Sequence, residues 1–425
     1  MKRIFQSILF FFIKLPAQAT LRKYHPQIVA ITGSVGKTSA KEAIFCVLGS
    51  KYSVRRSLKN YNNELGLPMT ILGQDKTAGK NIFKWLGIFI AAIKNLLFSD
   101  KNYPQILILE MGADRPNNIK YLTKIARPNL AVITTIGQSH IQYFGSEANI
   151  AKEKATIFVR LHKDEWAILN YDDSRLRELV SGLKCKVLTF GQEQGSDVQI
   201  SQVHLTKKEN SIGTTFKLHY GGADVPIFLP NVLGAQHAQA AATAAAVGLA
   251  WGLNLVEISQ ALQGYKPAAG RTNLIAGVKN TWIIDDTYNA SPQSAKVALD
   301  ILKDFPQAQR KIAIFGDMLE LGSFTEIGHQ KVGEWVAQLG IDYLFVVGEK
   351  SRDIARGAKA AGMLDDRIYH FPKTIEAGIF LQERLKSGDV ILIKGSRGSR
   401  MEQVVYEIMA RPWEADDLLV GPISR

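Results

Sequence analysis

The stretch IVAITGSVGKTSAKEAIF, residues 28–45, decides the fold of the first half of the chain. The β-branched run at 28–31 predicts a short buried strand, the glycine-containing segment 33–36 interrupts it, and Lys37 and Thr38 open a stretch with helical spacing. Such a loop binds anions, because backbone N–H groups and a helix N-terminus point at the ligand. Lys37 adds a full positive charge, and Thr38 places a hydroxyl where phosphate-bound Mg²⁺ would sit. The sequence therefore predicts a nucleotide-phosphate site, with a plain glycine turn as the alternative.

This loop is a shortened form of the usual G-x-x-x-x-G-K-[ST] pattern, because the residue five positions before Gly36 is Ile31. The chain around it has 425 residues, 46% of them hydrophobic, which predicts two or three domains with substantial cores. Its only cysteines are Cys46 and Cys185, which form neither a disulfide framework nor a metal-ligand pattern. That composition is typical of a reducing cytosol.

Positive charge is concentrated near the start of the chain. The formal net charge is +13, and residues 1–100 hold 15 Lys and Arg against 4 Asp and Glu. Nucleic acid or an anionic membrane surface could account for this asymmetry, as could a solvated basic face together with phosphate-binding lysines.

The first 24 residues combine an apolar block at 4–15 with basic residues on both sides. Twelve helical residues cover about 18 Å, too little for a bilayer core of about 30 Å. Three alternatives remain: a helix lying in the inner-leaflet interface, a secretory signal ending near Ala17-Gln18-Ala19, and packing on the protein's own surface. A second apolar helix is predicted at 82–98, where core packing is favoured over membrane contact.

Two further buried strands are predicted at 106–109 and 131–135, and each is followed by a polar residue, Glu110 and His140 respectively. Because the carboxyl ends of parallel strands converge on a ligand crevice, these two side chains are expected in a metal site beside the phosphate loop. The crowded amides Asn60, Asn62 and Asn63 indicate either a self-capping turn or a polar substrate site.

The second half of the chain begins at the Pro- and Gly-rich segment 264–270 and alternates strands with helices again. Polar clusters follow three of its predicted strands, at 285–289, 316–322 and 394–397, which favours a second wall of an active site. Residues 187–229 are expected to be antiparallel edge strands. The predicted fold is α/β, with a P-loop central domain on a mostly parallel sheet and a Rossmann-like C-terminal domain. The expected boundaries are 1–27, 28–268 and 269–425.

Several motifs together resemble one enzyme family, the Mur ligases, which are ATP-dependent amide-bond ligases of peptidoglycan synthesis. The segments that carry the resemblance are TGSVGKTS (32–39), NYNNELGLP (60–68), LEMGA (109–113), IGQSHIQYFGSEANIAKEKATIF (136–158), GR (270–271), DDTYNASP (285–292), GDMLELG (316–322) and KGSRGSRME (394–402). Within the family, the chain is most similar to members that join D-alanyl-D-alanine to a UDP-N-acetylmuramoyl tripeptide. Only about 27 residues precede the first predicted strand, so the family's separate uridine-binding domain is expected to be lacking.

The resemblance implies ATP, two Mg²⁺ ions and a carbamylated lysine as cofactors. It identifies Lys154 as that lysine in preference to Lys152, because Lys154 stands at the family's spacing before Ile-Phe. The implied nucleotide-binding residues are Gly33, Ser34, Val35, Gly36, Lys37, Thr38, Ser39, Arg271, Asp286, Tyr288 and Asn289. The implied metal-site residues are Thr38, Glu110, His140 and Lys154. The implied substrate-binding residues are Asn60, Asn62, Asn63, Lys394 and Arg397. The implied catalytic residues are Lys37, Lys154, His140, Arg271 and Lys394. In place of the family's His-Asn pair at the adenine, this chain has Gln236-His237.

The implied function is a cytoplasmic ligase of peptidoglycan precursor synthesis, and hence of cell shape and division. It would convert a carboxylate to an acyl phosphate that an amine then attacks, with small-molecule substrates and no nucleic acid partner. Alternatives are a related ligase or amidating enzyme acting on a lipid-linked acceptor at the inner membrane face and, more remotely, a nucleic-acid-binding P-loop ATPase. The sequence lacks the aromatic residues interleaved with basic ones that a nucleic-acid-binding ATPase of this kind would need.

Overall fold

The computed structural model describes residues 2–57, 61–74, 81–98, 100–137, 141–209 and 211–421, with the backbone alone at 2–9, 11, 82 and 95. The chain divides into two compact units. The first comprises Met1–Gln202, Phe216–Ile227 and Ala238–Tyr265, and the second Val203–Thr215, Phe228–His237 and Lys266–Arg425.

Up to residue 185 every strand is followed by a helix, residues 186–230 form consecutive strands, and two further helices end at residue 262. The helices are α1 (Lys2–Tyr24), α2 (Lys37–Gly49), α3 (Gly66–Ile71), α4 (Ile82–Leu97), α5 (Asn118–Ile125), α6 (Ile141–Phe144), α7 (Glu147–Ala155), α8 (Ser174–Val180), α9 (Ala235–Ala250) and α10 (Leu255–Leu262). The strands are β1 (Gln27–Thr32), β2 (Val54–Arg56), β3 (Ile106–Glu110), β4 (Leu130–Ile133), β5 (Trp166–Asn170), β6 (Lys186–Gly191), β7 (Val198–Lys208), β8 (Ser211–Tyr220) and β9 (Ala223–Pro230).

These strands form one sheet in the order β2-β3-β1-β4-β5-β6-β7-β8-β9. Every pairing from β2 to β7 is parallel. Strand β1 lies between β3 and β4, so the loop that leaves β1 opens at a switch point of the sheet, where ligands bind in folds of this class. The prediction for residues 187–229 was partly wrong, because β6 continues the parallel sheet. The strands β7, β8 and β9 are joined by two-residue connections, which only antiparallel neighbours allow.

The remaining residues form a second α/β sheet. Its strands are β10 (Asn273–Gly277), β11 (Thr281–Asp286), β12 (Arg310–Gly316), β13 (Tyr343–Val347), β14 (Ile368–Phe371) and β15 (Asp389–Lys394). The helices are α11 (Pro292–Lys303), α12 (Thr325–Gln338), α13 (Arg352–Ala360), α14 (Thr374–Arg384), α15 (Glu402–Ile408) and α16 (Ala415–Leu418). The sheet order is β10-β11-β15-β12-β13-β14, and only β10 runs antiparallel to its neighbour. The predicted α/β fold class is confirmed, and the three polar segments fall at the carboxyl ends of the adjacent strands β11, β15 and β12.

Helix α1 packs on the protein's own surface through its second half. Ile13 and Ala17 are fully buried in the core of the first unit, and Lys23 Nζ donates to the carbonyls of Leu96 and Phe98 at 3.0 Å each. Of the alternatives drawn from the sequence, packing therefore applies to this part of the helix. No helix among the described residues has both the length and the apolar character needed to cross a membrane.

Helices α12 and α13 approach each other more closely than side chains would allow. A Cβ built on Gly333 would lie 1.9 Å from the Ile354 carbonyl oxygen, and one built on Gly357 would lie 2.0 Å from the Gln330 carbonyl oxygen. Both neighbours are backbone atoms and cannot rotate away. The contact therefore requires glycine on both helices.

Replacing Gly333 by alanine should destabilise the second unit by about 2 kcal/mol or more, because one helix must move away from the other. The measurement is the free energy of unfolding in urea. The matched control is Gly87→Ala within α4, where a Cβ meets nothing within 4 Å. That control should be neutral or stabilising by about 0.5 kcal/mol. Equal effects of the two substitutions would contradict the close helix contact.

Candidate functional site

The glycine loop between β1 and α2 is held in one conformation by its neighbours. Gly33 has φ +150°, and a Cβ at this position would lie 2.0 Å from Thr134 Oγ1. Thr134 Oγ1 donates to the Val35 carbonyl at 2.5 Å, and the Ser34 N–H donates to the Thr135 carbonyl at 2.7 Å. The segment after β4 thus fixes the loop. Thr134 was missed from the sequence, since a threonine after a strand carries no distinguishing signal.

Two lysines meet at the carbonyl oxygen of Gly33. Lys37 Nζ donates to it at 2.7 Å, and Lys154 Nζ donates to the same oxygen at 3.0 Å. Lys154 is only 4% exposed, whereas Lys152 on the same helix is exposed. Burial, followed by the positive charge of Lys37, lowers the pKa of Lys154 to about 7. A large share of the Lys154 side chains is therefore a neutral amine near neutral pH.

Glu110, the last residue of β3, lies beside the start of α2. Its carboxylate accepts hydrogen bonds from Thr38 Oγ1 and from Asn62 Nδ2, each at 3.2 Å. Lys41 Nζ lies 4.0 Å from the same carboxylate and donates to the Ser57 carbonyl at 2.8 Å, although the Lys41 side chain is only 1% exposed. The prediction from sequence did not include Lys41, because a lysine one turn into a helix normally faces solvent.

Thr38 and Glu110 supply the oxygen donors that Mg²⁺ prefers, and Mg²⁺ commonly binds with one or two carboxylates plus substrate phosphates. The pair therefore fits a magnesium ion bound together with a nucleotide. His140, the other residue assigned to the metal, lies outside the described residues, as does Asn60. Among the residues that are described, His, Cys, Asp and Glu form no group of three or more that could hold a metal by themselves.

The other predicted residues near the loop occupy different positions. Asn63 Oδ1 accepts the N–H groups of Leu65 and Gly66, at 3.2 and 2.9 Å, which is the self-capping turn. Ser39 hydrogen-bonds the fully buried Tyr265, and the side chain of Val35 is exposed. Asn62 is therefore the described asparagine of the three that contacts the Glu110 carboxylate.

In the second unit, the segment after β11 is tied to the end of β15. Lys394, 2% exposed, donates from Nζ to Asp286 Oδ2 at 2.5 Å and to the Asn289 carbonyl at 2.9 Å. The sequence assigned Lys394 to substrate and Asp286 to the nucleotide. The structure brings them together as an ion pair.

Asp285, which belongs to the predicted polar cluster at 285–289 but was given no role of its own, anchors the preceding loop. It is completely buried and accepts from the N–H of Gly270 at 3.1 Å and from the N–H and hydroxyl of Thr287 at 3.2 and 2.7 Å. Burial raises the pKa of Asp285 to about 7, with Asp286 adding to the rise, while its hydrogen-bond donors oppose it. Gly270, at φ +68°, has no room for a Cβ, which would lie 2.8 Å from the Tyr288 nitrogen.

Arg271 follows this anchored glycine. Its guanidinium carbon lies 4.0 Å from the centre of the Tyr288 ring, a cation–π contact between two of the predicted nucleotide residues. Its carbonyl lies 3.1 Å from Nε2 of the buried His237, which is also 2.8 Å from Thr272 Oγ1. Burial lowers the pKa of His237 to about 4, so the imidazole is neutral and positions the Arg271 backbone.

Arg397 lies at the carboxyl end of β15. It pairs with the fully buried Glu402 at 2.9 Å and donates to the Val420 carbonyl at 3.0 Å. Both terminal nitrogens of its guanidinium therefore donate hydrogen bonds within the second unit, while the side chain remains 42% exposed.

Known proteins resemble this chain in both of its units. The sequence-family model of the Mur ligase middle domain matches residues 90–248. The family model of the Mur ligase glutamate ligase domain matches residues 270–397. The chain is 31% identical over 396 residues to the UDP-N-acetylmuramoyl-tripeptide–D-alanyl-D-alanine ligase of Bacillus subtilis, covering 93% of this chain and 79% of that protein. The chain belongs to the Mur ligase family. The resemblance drawn from the motifs is confirmed.

Other Mur ligases give the same picture. The Escherichia coli enzyme of the same name is 30% identical, over 89% of this chain and 76% of its own length. A crystal structure of MurF from Acinetobacter baumannii superposes with a TM-score of 0.78 at 27% identity, covering 93% of this chain and 79% of that one. MurF from Thermotoga maritima, solved in complex with ADP, superposes with a TM-score of 0.74 at 27% identity, covering 94% and 83%.

The lowered pKa of Lys154 makes the stability of this Mur ligase depend on pH. Below about pH 7 the folded protein bears the full cost of the buried ammonium. Between that pKa and the unfolded value the unfolded chain binds more protons, so stability rises with pH.

We expect wild type to gain about 2 kcal/mol relative to Lys154→Met between about pH 7.5 and pH 9, at about 1.4 kcal/mol per pH unit. The measurement is urea unfolding in buffer freed of CO₂. Exposed Lys152→Met is the control and should show no such dependence. A flat difference for Lys154→Met would mean that Lys154 is not a lysine of lowered pKa.

Proposed function

We propose that this chain is an ATP-dependent ligase that adds D-alanyl-D-alanine to a UDP-N-acetylmuramoyl tripeptide, through an acyl phosphate, in peptidoglycan precursor synthesis. The observation that carries the proposal is the phosphate loop with Thr38, Glu110 and Lys154 around it, in a chain 31% identical to a ligase with this activity in its name. Residues 28–268 would form the nucleotide-binding domain and residues 269–425 the C-terminal ligase domain, after an N-terminal segment at 1–27.

The chemistry explains why these residues are needed. A carboxylate is a poor electrophile, so the γ-phosphoryl group of ATP is transferred to it, and the dipeptide amine displaces phosphate from the resulting acyl phosphate. Positioning and charge neutralisation dominate such a transfer. Mg²⁺ held by Thr38 and Glu110 would neutralise charge that builds up on the phosphate oxygens.

The chain's own residues have separate roles in this proposal. Backbone N–H groups of the loop 33–39 cradle the phosphates, and Lys37 leaves the Gly33 carbonyl to bind them. Arg271, carried by the loop that Asp285 anchors, acts on the phosphate being transferred, and Tyr288 holds its guanidinium beforehand. Lys394 and Arg397 belong to the wall that receives the dipeptide, and Asp286 keeps Lys394 in place.

Phosphate release should require both the tripeptide precursor and D-alanyl-D-alanine, and omission of either should abolish it. Lys37→Met should lower kcat/KM by about 100-fold or more, because a charge-assisted contact made to the phosphates is lost. The exposed Lys163→Met is the control and should leave the rate unchanged. Phosphate release that continues without the amine would indicate an ATPase instead of a ligase.

A second candidate keeps the chemistry and changes the acceptor to a lipid-linked precursor, or replaces ligation by amidation. The apolar and basic helix α1 favours it, because residues 1–24 suit contact with the inner face of a membrane. Turnover with a lipid-linked acceptor and none with the soluble nucleotide would establish this alternative. A Phe12→Glu/Leu15→Glu variant with undiminished affinity for anionic vesicles would exclude the contribution of residues 1–24.

Carbamylation of Lys154 is the remaining part of the proposal. The neutral amine would attack CO₂, form an N–C bond and release one proton to solvent, which gives an anionic oxygen ligand for Mg²⁺. The support is the burial of Lys154 beside Lys37 and its pKa near 7, since the ammonium form cannot react.

Labelled bicarbonate should produce a ¹³C carbamate signal in wild type and in Lys152→Arg, and none in Lys154→Arg. The signal should grow as pH rises through about 7, because the neutral amine becomes the main form. The arginine variant keeps the positive charge but cannot form this carbamate. An unchanged signal in Lys154→Arg would assign the modification to another residue.

A further inference from the structure

Helix α4 carries two apolar stripes, and only one of them faces the protein. Trp85, Ile88 and Ala92 are buried in the core of the first unit. A second stripe, which we call the outer stripe of α4, is 53% to 84% exposed and consists of Phe83, Leu86, Ile90, Ile93 and Leu97. Its spacing of three and four residues aligns these side chains along one side of the helix. Scattered exposed apolar residues are ordinary, but an aligned row of five marks an interaction surface.

The two helices α1 and α4 carry charged residues of a single sign. Residues 2–24 and 81–98 contain no aspartate or glutamate, and their basic residues are Lys2, Arg3, Lys14, Arg22, Lys23, Lys84 and Lys94. Lys84 and Lys94 are exposed on α4 itself. Helix α1 is joined to α4 through Lys23 and exposes Phe12 and Leu15. The charge carried by these two helices therefore complements an anionic partner.

We propose that the outer stripe of α4 inserts into the headgroup region of an anionic lipid bilayer, with Lys84 and Lys94 contacting the lipid phosphates. The helix has 16 residues, about 24 Å, which is too short to span a bilayer but suits a helix lying in its surface. The inference extends the proposed contact of residues 1–24 to a second helix, and lipid binding does not depend on which substrate the enzyme ligates.

The charges argue against a second copy of this chain as the occupant. Pairing two outer stripes would bring Lys84 and Lys94 of one copy near the same lysines of the other, with no acidic residue in α4 to compensate. Like charges placed together oppose association. Anionic lipid supplies the missing negative charge and accepts the apolar side chains as well.

The test is co-sedimentation of the purified full-length chain with vesicles of phosphatidylglycerol and phosphatidylcholine, compared with phosphatidylcholine alone. Wild type should bind the anionic vesicles, and more weakly as salt is raised. The variant Leu86→Glu/Ile90→Glu/Ile93→Glu should bind at least about tenfold more weakly, since three apolar side chains become anionic. The matched control is Phe324→Glu/Ile327→Glu, which changes two exposed apolar side chains of the second unit and should bind as wild type does.

Two results would overturn the proposal. One is wild-type binding that the triple α4 substitution leaves unchanged. The other is a wild-type dimer that ignores vesicles and is dissociated by the same substitution, which would make a second copy the occupant. Folding of the triple variant is checked by thermal unfolding, and the changed side chains are all exposed. Ligation of soluble substrates should remain unchanged in the triple variant, so failure of lipid binding and failure of the proposed reaction are separately visible.

Discussion

The geometry of the proposed nucleotide site depends on one carbonyl oxygen, that of Gly33, which two lysines share. Two ammonium groups donating to one oxygen repel each other, and burial removes the solvent that would screen them. Burial is the main cause that lowers the pKa of Lys154 to about 7, and the positive charge of Lys37 adds to it. The carbonyl is in this position because Gly33 adopts φ +150° against Thr134. The backbone conformation of the loop thus provides the hydrogen-bond acceptor for a lysine 121 residues away.

The second unit uses buried charge in a complementary way. Asp285 accepts the N–H of Gly270 and thereby fixes the loop from which Arg271 projects, while Asp286 neutralises the nearly buried Lys394. Removing one partner of such a pair leaves the other charged and poorly solvated. Arg271 and Lys394, which are assigned to catalysis, are consequently held by residues that lie far from them in the sequence. His237, neutral because it is buried, does the same for the Arg271 backbone.

The sequence predicted the architecture well, because buried parallel strands are continuous apolar runs that periodicity detects, as at β1, β3 and β15. It missed β2, β10 and β14, which lie at sheet edges or carry few apolar residues. The loop between β1 and α2 was recognised because glycine, lysine and threonine at fixed spacing have few other uses. Thr134 and Lys41 were not found, and Asp285 was placed in a polar cluster without a role of its own. The importance of these three residues comes from contacts between distant segments, which no local pattern encodes.

Helix α4 shows where periodicity reaches its limit. A pattern of apolar residues indicates that one side of a helix is kept from water, but it does not indicate what covers that side. The prediction for residues 82–98 chose core packing over membrane contact, and the structure shows core packing on the side of Trp85 and an exposed row on the side of Ile90. An ordinary surface helix needs one apolar stripe for its core and a polar side for solvent. Because α4 has two apolar stripes and only basic charges, its sequence suits contact with a second apolar environment in addition to the protein core.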